Sequence, residues 1–203
     1  MSGPASPLYA LVDCNNFYVS AERVFNPKLE DRPVVVLSNN DGCAVARNAE
    51  AKALGIPMGA PWFQLQPLVQ QHGLLGLSSN YTLHGDMSAR VMQVLPTFTP
   101  DVEVYSIDEP FLRIERMRQL WPCLMVMGQA IRTQVRQWTG NPVCVGIGPT
   151  KTLAKSANHI AKKNPQFGGV FDMTTFPERE LVRLLTQVEV GEVWGVGRRT
   201  RAK

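Results

Sequence analysis

Apolar residues along the chain come in short runs, and most runs end in a turn residue or a charge. The first, "LYALVD" (residues 8–13), reads as a mostly buried strand that stops on a carboxylate. A short amphipathic helix is predicted over 17–25. "RPVVVLS" (32–38) is a β-branched run and a second strand, and "NNDG" (39–42) is a turn signal. "CAVA" makes a short strand, and "RNAEAKALG" reads as a helix closed by Gly55. Another helix near 61–71 ends before Gly73, and "LLGLSS" is a short strand.

Residues 80–98 carry Met87, Val91 and Val94/Leu95 at helical spacing. "VEVYSID" and "EPFLRIE" (102–108 and 109–115) read as two strands around an acidic pair. A helix follows over 119–138, then a strand "PVCVGIG" (142–148), a helix 150–163 opening on Thr150, and a strand "GGVFDM". A last helix runs from about Pro177 to Thr186. Helices and strands are mixed, with hairpin-like pairs beside crossovers. This favours an α+β fold with a mixed or antiparallel sheet over a doubly wound parallel one.

Composition narrows the field without choosing a function. The 203 residues suit one large domain or two small ones, and 44% are hydrophobic, enough for a core. A net charge of +4 permits a polyanionic partner without requiring one. No run reaches the roughly 18 apolar residues of a membrane span, and "MSGPASP" lacks the features of a signal peptide. Four cysteines without a CxxC pair and three histidines without ligand spacing argue against zinc and against a disulfide framework. Reduced thiols and a cytoplasmic location, with no membrane partner, are expected.

Chemistry concentrates in three acids. Asp13 ends an apolar strand, where a charge is costly unless solvated, paired or metal-bound. Taken alone it reads as a turn or cap residue, and "SIDE" alone reads as a hairpin turn. Neighbouring strands would bring Asp13, Asp108 and Glu109 to one sheet edge, where a divalent cation relieves their repulsion. Hard oxygen donors suit Mg2+ or Mn2+, and two such ions support phosphoryl transfer. No basic residue stands immediately beside "SIDE" to suggest a salt bridge. Pro110 pushes Glu109 toward extended geometry and removes a backbone donor, as an edge or hairpin position allows. On the helix 150–163, Lys151, Lys155, His159 and Lys162 share a face, which is either a solvated face or a phosphate-binding one.

Five stretches carry a resemblance: "DCNNFYVSAERVF", "RPVVVLSNNDGCAVARNAEAKALGI", "SSNYTLHGDMSARVM", "YSIDEPF" and "GIGPTKTLAKSANHIAKK". Together they resemble the Y-family translesion DNA polymerases, in particular the UmuC-type catalytic subunit of DNA polymerase V and its plasmid-borne relatives. The resemblance implies a palm over 1–16 and 80–172, a small α/β fingers insertion over 17–79, and an incomplete helical thumb from 173 to 203. Asp13, Asp108 and Glu109, with the Cys14 backbone carbonyl, would hold two metal ions. Tyr18 falls where the family has its steric gate against ribonucleotides, whereas Phe17 reads as a core ring. Lys155 falls where a lysine contacts the incoming triphosphate.

Where many family members have Thr, Tyr and Arg against the triphosphate, this chain has Ala46, Ala49 and Lys52, so Lys52 and Arg47 are expected to supply charge beside Lys155. Pro110 stands where the family usually has Ala. Gly195 and Gly197 suit a helix-hairpin-helix that contacts DNA phosphate. The chain stops there, so a truncated polymerase is expected. The implied function is lesion-bypassing, error-prone DNA synthesis from dNTPs on primer-template DNA. The implied partners are a UmuD′-like dimer, a RecA filament and the sliding clamp. Two other functions remain open: a DNA-binding or interaction fragment, and a palm-fold nucleotidyl cyclase.

Overall fold

The computed structural model describes residues 6–38, 42–197 and 200. The predicted "NNDG" turn falls mostly on residues 39–41, which lie outside the described residues, as do 1–5, 198–199 and 201–203. The chain divides into two compact units. One is drawn from Met1–Cys14, Met92–Trp138 and Val143–Lys203, and the other from Asn15–Val91 and Thr139–Pro142. Residues 80–91 therefore group with the second unit and 173–197 with the first.

The first unit holds a five-stranded sheet. Its strands are β1 (Tyr9–Cys14), β5 (Val102–Val104), β6 (Pro110–Arg113), β7 (Val143–Gly148) and β8 (Val170–Asp172), in the spatial order β5-β6-β1-β7-β8. β1 is central and antiparallel to both β6 and β7, while β7 and β8 are parallel. This is the mixed sheet the pattern predicts.

Strand alternation assigns the two faces. Tyr9, Leu11 and Asp13 share one face of β1 with Cys144, Gly146 and Gly148 opposite them on β7. Helix α6 (Lys151–Lys163) lies over that face, its first turn capped by the Thr150 hydroxyl accepting from Leu153 N at 3.2 Å. The approach is close. A Cβ on Gly146 would stand 2.1 Å from Asn158 N and 2.4 Å from Ala154 O. Asn158, 2% exposed, donates from Nδ2 to Cys144 O (2.9 Å) and Leu11 O (3.3 Å), so one side chain ties α6 to two strands. On the other face, α5 (Leu124–Thr139) buries Met127, Ile131 and Val135, and Gly128 faces Val170 of β8.

Two predicted elements shorten for local reasons. The strand expected over 102–108 ends at Val104, because Tyr105 N and Ser106 N both bond to Glu109 O and close a turn. The helix expected from 119 begins at Leu124. Glu115–Gln119 forms a 3-10 turn, and Pro122 supplies no N–H donor to continue it. Helix α7 (Glu178–Leu185) lies within the range expected for it.

The second unit contains α1 (Phe17–Phe25) and a three-stranded sheet, β3-β2-β4, built from β2 (Val34–Leu37), β3 (Ala44–Arg47) and β4 (Leu75–Ser78). Short helices α2 (Ala49–Ala53) and α3 (Gln66–His72) accompany it. Asn48, fully buried, caps α2 through Ala51 N (2.9 Å) and also accepts from Val34 N and donates to Arg32 O. Gly55 and Gly73 follow their helices with φ of 76° and 64°, the left-handed geometry that favours glycine. Helix α4 (Tyr81–Val94) begins in this unit and ends in the first.

Candidate active site

The β5–β6 turn, residues 105–109, stands beside the C-terminal end of β1, because β1 and β6 are antiparallel neighbours. Cys14 N donates to Asp108 O at 3.1 Å, which joins the turn to the strand end. Ser106 organises the turn. Its hydroxyl donates to Asp108 Oδ1 (2.8 Å) and accepts from Glu109 N (3.1 Å). Pro110 is the first residue of β6, a strand position that tolerates a missing N–H, and pairs with Val104 of the edge strand. The three sequence-predicted acids thus occupy one end of one sheet.

Helix α6 supplies their counterions. Lys162 Nζ lies 2.6 Å from Asp13 Oδ1, and Lys155 Nζ lies 2.7 Å from Glu109 Oε2. The absence of a neighbouring base in sequence was misleading, since both ammoniums arrive from a helix that follows β7. The face carrying Lys151, Lys155, His159 and Lys162 is not simply solvated: Lys151 pairs with Glu103, and His159 and Lys163 approach Glu192. Lys155 also sits over the rings of Tyr105 (4.9 Å) and Trp194 (5.6 Å), and Trp194 Nε1 donates to the Tyr105 hydroxyl at 3.1 Å.

Burial pushes the Asp13 carboxyl up to about 6, against the pull of Lys162 and with a further push from Glu109. Desolvation thus outweighs the lysine's attraction. Burial also raises the Cys14 thiol well above its usual range, so that thiol is no nucleophile near neutrality. Among the described residues, no three His, Cys, Asp or Glu side chains gather into a metal-ligand set. The donors nevertheless fit a hard divalent cation in kind. They are carboxylate oxygens on adjoining segments, and two of them already hold positive charge.

The remaining candidates lie elsewhere. In the second unit, the half-buried Tyr18 ring packs edge-on to His84 at 4.8 Å and to Phe17 at 5.5 Å. Phe17 is 2% exposed, a core ring as expected. Fully buried His84 lies 3.2 Å from Glu22, and burial lowers its pKa. Lys52 is exposed and donates to Asn16 Oδ1 at 2.7 Å. Arg47 Nη1 donates to Ile56 O, so its guanidinium is turned onto its own unit. In the first unit, Gly195 has φ 89°, and both Gly195 and Gly197 are exposed with open space where a Cβ would stand.

The impB/mucB/samB family model matches residues 12–159, which include Asp13, Asp108, Glu109 and Lys155 and end before Lys162. The chain belongs to the impB/mucB/samB family. ImpB of Salmonella typhimurium is 49% identical over 198 residues, and UmuC of the same species is 49% identical over 197, each alignment covering 97% of this chain and 46% of the relative. DNA polymerase IV 2 of Mesorhizobium japonicum is 33% identical over 203 residues. The chain spans about half the length of the curated relatives it matches. Among solved structures, an insertion ternary complex of Dbh DNA polymerase superposes with a TM-score of 0.79 at 24% identity, over 95% of this chain and 55% of that one. The family resemblance read from the five stretches is borne out, as is the α+β class with its mixed sheet.

Sequence reading placed Lys162 on the basic helix face but not beside Asp13, and it missed Ser106, Asn158, Gly146 and Trp194. A signal existed for two of them. Asn158 stands four residues before Lys162, on the same side of the helix, and "VGIG" marks a strand that another backbone approaches closely. Nothing local in sequence marks Trp194 as a partner of Lys155.

Proposed function

We propose that this chain carries the catalytic half of a translesion DNA polymerase. In this reading 1–16 and 80–172 act as the palm, 17–79 as the fingers, and the chain from 173 on as the start of the thumb. Asp13, Asp108 and Glu109, with the Cys14 carbonyl, would hold divalent cations, Mg2+ or Mn2+ and two in number. Such ions activate an attacking hydroxyl and stabilise a leaving oxygen. Lys155 is assigned to the triphosphate, with Lys52 in support. Arg47, turned to Ile56, is the weaker candidate. Gly195 and Gly197 are assigned to a DNA phosphate. The carrying observation is that all three acids stand at one end of one sheet, with lysines of α6 opposite them.

The substrates would be dNTP and primer-template DNA, and the setting error-prone synthesis past lesions. A UmuD′-like dimer, a RecA filament and a sliding clamp are proposed partners. No helix among the described residues is long and apolar enough to cross a membrane, and a DNA substrate fits a cytoplasmic location.

Primer extension by the purified chain with Mg2+, on damaged and undamaged templates, tests the reading. Extension that Asp108→Ala leaves unchanged would overturn it. Salt-sensitive DNA binding without extension would instead favour the interaction-fragment reading. Tyr18 carries a second expected outcome. Replacing it with Ala should raise ribonucleotide incorporation relative to deoxyribonucleotide by about tenfold or more, the size of one lost steric contact of roughly 1.4 kcal/mol. An unchanged ratio would remove Tyr18 from the sugar-discriminating role.

A further inference from the structure

Lys162 has a role that the family assignment of the acids does not contain. Its ammonium is the immediate counterion of Asp13 at 2.6 Å, its side chain is 34% exposed, and that of Asp13 is 14% exposed. Lys155 occupies the same relation to Glu109 at 2.7 Å. Both pairs are imposed by the fold. Asn158 locks α6 onto β1 and β7, and Lys162 follows one turn later on the same side, above the end of β1.

A divalent cation and an ammonium brought to the same carboxylate repel at short range, so an arriving ion competes with Lys162 for Asp13. We propose that Lys162 is the resident counterion of Asp13, and that divalent cations bind by exchange with it: the Lys162–Asp13 pair opens when the ion arrives and re-forms when it leaves. This rests on the reading of Asp13 as a metal ligand.

The exchange has a physical purpose. Three carboxylates at one sheet end repel one another, and the Asp13 side chain, 14% exposed, has little water to screen it. Lys162 and Lys155 offset two of the three charges while no metal is bound, so the fold depends less on the ion. The metal then meets a cluster whose charge is partly satisfied, and its affinity is lower by the strength of the pair it displaces. Lys162, its side chain 34% exposed against 21% for Lys155, is the better placed of the two to swing into solvent.

The test uses the whole chain and reads metal binding directly. Mn2+ binding is followed by electron paramagnetic resonance for the wild type, Lys162→Met, Lys162→Arg and Asp13→Asn, each checked for folding by circular dichroism. Lys162→Met should bind Mn2+ about tenfold more tightly, and Lys162→Arg, which keeps a cation on Asp13, should stay near wild type. In parallel, lysine acetylation read by mass spectrometry should show Lys162 becoming more reactive when Mg2+ is added. Equal Mn2+ affinity in wild type and Lys162→Met, with Asp13→Asn losing the ion, would overturn the exchange and leave the metal reading standing. Weaker binding by Lys162→Met would also overturn it, since Lys162 would then assist the ion. Binding that Asp13→Asn leaves unchanged, or no binding by the wild type, would remove the metal reading and the exchange with it.

Discussion

Replacing Gly146 with Ala should unfold the protein or cost it more than about 4 kcal/mol, the range reserved for backbone-level clashes in a packed core. The added Cβ would stand 2.1 Å from Asn158 N and 2.4 Å from Ala154 O. These are main-chain atoms of a helix, so no side-chain rotation relieves the overlap. Helix α6 must lift from β7, and the Asn158 bonds to Cys144 O and Leu11 O lengthen with it, leaving the buried Asn158 amide without its partners. Chemical denaturation followed by circular dichroism measures the loss. A variant within 1 kcal/mol of wild type would show that α6 docks more loosely than this geometry requires. The same substitution at Gly195, where no atom lies within 4 Å, meets only the strain of a positive φ.

Asp13→Asn should move stability and activity in opposite directions. Burial holds the Asp13 carboxyl at about 6 in the folded chain, above its ordinary value of 3.8, even with Lys162 beside it. The native state therefore binds this proton more tightly than the unfolded state does. Stability falls as pH rises from about 4 to about 6, and the penalty is fully present above that. An uncharged isostere escapes it. At pH 8, in the absence of divalent ions, Asp13→Asn should be more stable than wild type by about 2 kcal/mol, somewhat under the full linkage value of such a shift. The advantage should shrink as pH falls through 6 and disappear near 4. Thermal melts across that range supply the comparison, and a variant less stable at pH 8 would mean that the Lys162 pair outweighs desolvation. Primer extension should meanwhile fall on the order of 10³-fold, the scale seen when a charge-stabilising group leaves an active site. That pair of results would mark a site kept for chemistry at the expense of stability.

Local pattern carried much of this structure. The β-branched run at 34–37, the "VCVGIG" strand and the Thr150 cap all announce themselves, because strand propensity and helix capping are decided within a few residues. Taken singly, Asp13 reads as a turn residue and "SIDE" as a hairpin; they become a candidate site only together, because neighbouring strands bring all three acids to one sheet end, as the structure does. What the sequence hid is non-local. The β5 strand ends early because Ser106 builds a turn from its own hydroxyl and from the carbonyl of Glu109. The ion pairs of Asp13 and Glu109 span 149 and 46 positions, and only the docking of α6 creates them. Arg47 looked available as a free cation, yet its guanidinium is committed to a carbonyl nine residues away.

The register between α6 and β7 makes the helix a ruler. The strand rises about 3.4 Å per residue and the helix about 1.5 Å. The four steps from Gly148 back to Cys144 therefore match the eight from Ala154 on to Lys162 to within roughly 2 Å. The glycines and Asn158 are the marks by which strand and helix are aligned. One residue gained or lost between Asn158 and Lys162 would turn the ammonium by about 100° and carry it off Asp13. That interval is closed to insertion and deletion even where each single side chain tolerates exchange. Length itself, as much as residue identity, is the heritable specification of this site.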